Sequence, residues 1–175
     1  GLSATGTCTD LAGNTASATE SDVNIDRTAP VITFAEPAPA PNGNGWHNSS
    51  VTVSWTCTDE VSGATTTGGS QDLTQEGSGQ SVSGACTDLA GNSVTGAKGG
   101  INIDLTIPTI TYMDRTPANI NGWNNSDVTV NWSCTDSLSG PEKGAISQTV
   151  SQEGKDQSTT GTCTDNAGNT ASNTQ

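Results

Sequence analysis

The sequence predicts an all-β chain of tandem antiparallel β-sandwiches, each about 77 residues long. Three observations carry this. A thirteen-residue phrase, "GTCTDLAGNTASA" at 6–18, returns as "GACTDLAGNSVTG" at 84–96 and "GTCTDNAGNTASN" at 161–173. The apolar residues between these phrases recur at every second position. Glycine, asparagine and proline punctuate the chain at short intervals, and no stretch has helical periodicity. An internal repeat of this length means one supersecondary unit written several times, and alternation with dense turn signals marks short strands in a sandwich.

The period comes first, because it organises everything else. "VTVSWTCTD" (51–59) recurs as "VTVNWSCTD" (128–136), and "VNIDRTAP" (23–30) as "INIDLTIP" (101–108). "NGW" ending at Trp46 recurs ending at Trp123, and "QEG" at 75–77 recurs at 152–154. These steps divide the chain into the C-terminal hairpin and linker of one module (1–29), a complete module (30–107), and a third lacking its last strand end (108–175). The chain thus reads as a window on a longer periodic polypeptide.

Each strand is justified by parity. Val51, Val53, Trp55 and Cys57 share one face, while Thr52, Ser54 and Thr56 take the other, as in a half-buried strand. Val128, Val130, Trp132 and Cys134 repeat the pattern. Val82, Gly84 and Cys86 form a second inward face leading into "TDLAGN". That hexapeptide predicts a tight hairpin loop, with Gly91 left-handed and Asp88 bonding the turn amides.

Composition sets the size of the cores. Hydrophobic residues are 30% and aromatics 3% of the 175 residues, so several small stapled cores are expected in place of one large core. The five cysteines supply the staples. Cys57 and Cys86 lie 29 residues apart, as do Cys134 and Cys163, and each pair sits on inward faces where a bridge could join two sheets. Buried free thiols are the alternative. Cys8 matches Cys86, so its partner is expected upstream or in another chain. Such a bridge stabilises by about 3–4 kcal/mol on the chain-entropy model and implies an oxidising, extracytoplasmic setting.

Charge and motifs narrow the function. A net charge of −13 repels nucleic acid, and no apolar run is long enough to span a membrane. His47 is replaced by Asn124 in the other copy, which excludes a repeated histidine-based site. No catalytic residues are assigned, and the expectation is a non-enzymatic chain. Trp46 and Trp123 offer stacking surfaces for sugars; the favoured reading is that each packs over the end of its own small core.

The phrases "TCTDLAGNTASA", "NIDRTAP" and "VTVSWTCTD" resemble the tandem bacterial immunoglobulin-like (Big-type) repeats of long secreted or cell-surface proteins, over the whole chain. The resemblance implies Ig-like sandwiches forming stalks or fibres, with adhesins among the settings. Two features depart from antibody domains: the short cysteine spacing, and a tryptophan on the same strand as the first cysteine.

In an Ig-like topology the linker enters beside two loops of the following domain. Asp104, Asp136 and Asp165 are then expected to converge, with Glu76 reaching from the preceding module; Asp26, Asp59 and Asp88 form the earlier junction. Three or four such oxygens, completed by backbone carbonyls and water, suit Ca²⁺, and capping of local turns is the competing role for each aspartate. The functional expectation is a structural segment of an extracellular bacterial stalk or fibre, its partners being neighbouring modules and other copies of the chain. A carbohydrate-binding accessory module, or a filament subunit completed by strand donation between chains, are the alternatives.

Overall fold

The computed structural model describes all 175 residues. It is all-β, without helices, and its sheets are antiparallel, as a β-sandwich requires. Strands β1 (Leu2–Thr9) and β2 (Thr15–Val23) form a hairpin. Strands β3 (Val31–Phe34), β4 (Val51–Thr58) and β5 (Gly68–Leu73) form one sheet in that order, and β6 (Gly77–Thr87) with β7 (Ser93–Ile103) forms another. The same plan recurs: β8 (Thr109–Arg115), β9 (Val128–Thr135) and β10 (Ala145–Val150) make a three-stranded sheet centred on β9. Strands β11 (Thr160–Thr164) and β12 (Thr170–Thr174) make its two-stranded companion.

Contacts group the chain into two compact units. The first comprises Gly1–Thr33, Thr56–Gly68 and Gly84–Gly96. It holds the β1–β2 hairpin and the Cys57–Cys86 disulfide, whose Cα atoms are 5.7 Å apart. That bridge ties β4 to β6 and so links two separate sheets. Cys8, on β1, is a free and exposed thiol. The hairpin register runs from Leu2 opposite Val23 to Thr9 opposite Thr15, closing on Asp10–Asn14, where Gly13 has φ 89°. A positive φ of this size strains any residue with a Cβ, which is why glycine stands there.

The second unit comprises Phe34–Trp55, Gly69–Ser83 and Ala97–Gln175. Val51, Val53, Val82, Ile101 and Ile103 form a buried cluster, with Phe34, Trp55 and Leu73 packed against it. The period-two face of β4 is what delivers alternate residues to this cluster. Further along, Val130, Trp132, Cys134 and Cys163 are buried, and a disulfide joins Cys134 to Cys163 across β9 and β11. Trp132 is wholly buried, and its indole Nε1–H donates to Asn173 Oδ1 at 3.0 Å. A Cβ built on Gly161 would stand 2.7 Å from this ring, so glycine makes room for the tryptophan. Trp55 meets the same solution from another strand, at Gly69.

Trp123 corrects an expectation. It does not pack over a core: its surface is 54% exposed, whereas Trp46 is half-buried. The difference lies in distant chain. The loop at Trp46 is fastened by His47 N–H donating to Asn102 O and by Asp104 N–H donating to His47 O, both 2.9 Å. No such pairing reaches Asn124, the counterpart of His47.

Candidate metal centre

Two groups of three aspartates stand at matching places in the repeat. Asp26 follows β2, Asp59 follows β4 and Asp88 follows β6; Asp104, Asp136 and Asp165 follow β7, β9 and β11. In each group one carboxylate oxygen per residue lies within 4.8 Å of the others. Strands β2, β4 and β6 lie in three different sheets, as do β7, β9 and β11, and the residues that follow their ends are what meet.

Local turns orient each carboxylate. Asp59 Oδ1 accepts the amides of Val61, Ser62 and Gly63 at 3.1, 2.8 and 2.9 Å. Asp136 Oδ1 likewise accepts those of Leu138 and Gly140 at 3.1 and 2.8 Å. In both residues Oδ1 carries this load, and Oδ2 takes no hydrogen bond. Asp88 receives the backbone and side-chain N–H groups of Asn92 at 2.8 and 2.7 Å. Asp165 receives the same two donors from Asn169, both at 2.9 Å, and the Ala167 amide at 2.9 Å.

The linker aspartates are fastened to these turns. Ser62 N–H donates to Asp26 Oδ2 at 3.2 Å, and Asn92 Nδ2 to the Asp26 carbonyl at 3.3 Å. The second copy repeats both, from Ser139 to Asp104 Oδ2 at 3.0 Å and from Asn169 to the Asp104 carbonyl at 3.0 Å. Hydrogen bonding from the Ser62 side chain, ahead of that from the Thr28 amide, holds Asp26 below the ordinary carboxylate pKa.

Asp88, Asp104 and Asp165 are buried, while Asp26, Asp59 and Asp136 are partly so. The only ion pairs in the chain are Lys98 with Glu36 and Lys155 with Asp156. No protein cation therefore neutralises either trio. The donor set is hard oxygen throughout, the chemistry suited to Ca²⁺ or Mg²⁺ rather than to metals preferring nitrogen or sulfur. With one oxygen of Asp59 and of Asp136 uncommitted, the ligands present fit an oxygen-liganded divalent cation.

Glu76, expected at the second trio, stands outside it. Its Oε2 accepts Thr106 Oγ1 at 2.8 Å and the Leu105 amide at 3.4 Å, which fastens the linker next to Asp104 instead. Ser62, Ser139, Asn92 and Asn169 were not expected in the site. The repeat carries a trace of them, because "SG" closes both "DEVSG" and "DSLSG", and asparagine ends both "DLAGN" and "DNAGN". Asp10 separates the two roles of the aspartate in this turn. It accepts Ala12 N, Asn14 N and Asn14 Nδ2 at 2.9, 2.9 and 2.8 Å, yet belongs to no trio. Turn capping therefore stands without a cluster. No protein-family model, curated protein or solved structure matches the chain.

Proposed function

We propose that this chain is a structural segment of an extracellular bacterial stalk or fibre, built from tandem immunoglobulin-like sandwiches, and that its two acidic trios hold Ca²⁺ beside the linkers. The observation that carries the reading is the duplication itself. The strand order of β3–β7 is that of β8–β12, and one aspartate trio, bonded in the same way, accompanies each linker. Repeated units that stack on their neighbours allow length to grow without a new core. The two disulfides suit an oxidising compartment. The acidic surface, with a net charge of −13, opposes lateral sticking of strand edges.

In this role calcium supplies charge neutralisation, and the protein's part is to hold the carboxylates in place. No substrate is turned over, and adhesion, where the stalk serves it, belongs to whatever the stalk presents. Antibodies raised against this chain test the reading by immunogold labelling of source cells, both whole and in thin section. Label on extracellular projections or secreted fibres is expected; label confined to the cytoplasm overturns the proposal.

A further inference from the structure

Two loops of one design sit in different surroundings. In the first, Asn42 Oδ1 accepts the amides of Asn44 and Trp46 at 2.9 and 3.1 Å, and Asn42 N–H donates to Trp46 O at 2.8 Å. In the second, Asn119 Oδ1 accepts Asn121 N and Trp123 N at 2.9 and 3.0 Å, and Asn119 N–H donates to Trp123 O at 2.9 Å. Gly45 and Gly122 share the same left-handed backbone, φ 80° and 81°.

The first loop is occupied. Asn42 Nδ2 and Asn44 Nδ2 both donate to the carbonyl of Asn166, at 2.8 and 3.2 Å. Asn166 is the second residue of the Asp165–Asn169 turn. Nearby, the Asn48 side-chain amide lies 3.7 Å from where a Cβ on Gly168 would stand. This is a clasp of two amides on one backbone oxygen. It reads the shape of the turn and not its side chain, so any turn of the form D-x-A-G-N offers the same acceptor.

The second loop is open. The side-chain amides of Asn119 and Asn121 have no partner, Ile120 is fully exposed, and Trp123 is 54% exposed. At the other end of the sequence a turn of the required form is equally uncovered. Asp10 binds the turn amides as Asp165 does, and Leu11, which holds the place of Asn166, is fully exposed. Ile120 and Leu11 are the two most exposed large apolar side chains of the protein.

We propose that loop 119–123 is a docking site for the D-x-A-G-N turn of another module of this kind, which a second copy of this chain presents at Asp10–Asn14. Asn119 and Asn121 grip the Leu11 carbonyl, and Leu11 covers Ile120 and Trp123. The contact joins unlike surfaces, so it is heterologous: it runs head to tail, closing into a ring only where the rotation from copy to copy allows. One loop on one turn buries far less than the roughly 1,200 Å² of a stable complex, so the dissociation constant falls at about 100 µM to about 1 mM. Each copy carries a charge of −13, so added salt screens the repulsion and tightens the association.

The proposal rests on the stacked-module reading but is tested apart from it. The full chain carrying Cys8→Ser, which removes disulfide-linked dimers, is labelled with ¹⁵N. Its spectra are recorded from about 20 µM to about 1 mM, a range spanning the expected constant. The amides of Ala12 and Gly13 and the indole of Trp123 are expected to shift together. Leu11→Ser and Ile120→Ser, both at fully exposed positions, each weaken the association at least about fivefold. Stationary resonances over the whole range overturn the proposal. So does association that survives both substitutions, since it would use another surface. Either failure leaves the stalk reading to the surface-labelling experiment.

Discussion

Replacing Asp136 by asparagine is expected to shrink the stabilisation that the proposed calcium site gives. Asparagine keeps the Oδ1 that caps the turn at Leu138 and Gly140, so the substitution removes one charge and little geometry. In chelator the three carboxylates of Asp104, Asp136 and Asp165 repel one another. At separations up to 4.8 Å and an effective dielectric constant near 20, each pair costs at least about 3.5 kcal/mol before relaxation. The substitution removes two of the three pairs. Water and side-chain rotation relieve most of that in the wild type, which leaves a net gain of about 1–2 kcal/mol for the variant in chelator. With calcium this gain is offset. An extracellular-type site with a dissociation constant of about 0.1–1 mM gains about 1.4–2.7 kcal/mol at 10 mM Ca²⁺, and the variant, short of one ligand, forfeits most of it. Thermal melts followed by near-ultraviolet circular dichroism read both states, at about 4–8 °C per kcal/mol for a domain of this size. The variant is expected to melt above the wild type in chelator, and calcium is expected to raise the wild-type melt by several degrees more than the variant's, closing most of that gap. A wild-type melt indifferent to calcium, with the variant displaced the same way in both buffers, refutes the reasoning.

Three further outcomes follow from the packing. Replacing Cys134 and Cys163 together by alanine opens a loop spanning 29 residues and lowers stability by about 3–4 kcal/mol in denaturant titration; a loss under about 1 kcal/mol contradicts the staple role. Gly161→Ala drives a Cβ to 2.7 Å from the ring of the wholly buried Trp132, and equilibrium unfolding is expected to show a loss of about 1–3 kcal/mol. His47 is buried with Nδ1 unpartnered, and desolvation, opposed in part by a hydrogen bond with the Pro39 backbone, lowers its pKa from 6.5. The unfolded chain therefore binds the proton first, and stability falls as pH drops through 6.5 towards the lower folded value. Melts between about pH 8 and about pH 5, above the carboxylate range, are expected to show this slope in the wild type and a smaller one in His47→Asn.

What the sequence makes legible is whatever depends on near neighbours. The parity of Val51, Val53 and Cys57 survives folding because one buried face per strand is enough to fix it. The turn at Asp88 is legible for the same reason: aspartate, glycine at φ 93° and asparagine act within five residues. Trp123 is not legible, because its loop repeats that of Trp46 almost letter for letter. What differs is backbone pairing at Asn102 and Asp104, more than fifty residues away from Trp46. Glu76 fails for a subtler reason. Its charge and its approach to the linker are evident, but a threonine hydroxyl at Thr106 captures its oxygen before the trio can. The trios themselves were within reach, since the repeat lists which acids recur at strand ends. The serine amides that complete them were not, because every residue carries an amide and only the fold selects Ser62 and Ser139.

The bonding of the trios also bears on what calcium would do in the proposed site. Asp10 shows that the D-x-A-G-N turn forms and binds its aspartate without any neighbouring acids. Asp88 and Asp165 are therefore held in place by Asn92 and Asn169 whether or not a cation is present. The linker is fastened independently too, by Asn92 Nδ2 on the Asp26 carbonyl and Asn169 Nδ2 on that of Asp104. Neither bond uses a carboxylate oxygen, so neither competes with a metal ligand. A site assembled before its ligand spends little binding energy on ordering. On the proposed reading calcium would act on charge and not on shape, removing the repulsion that works against bonds already made. Chelation is then expected to loosen the linker and to leave both disulfide-stapled pairs of sheets folded, unlike a zinc finger, whose fold is lost with its metal.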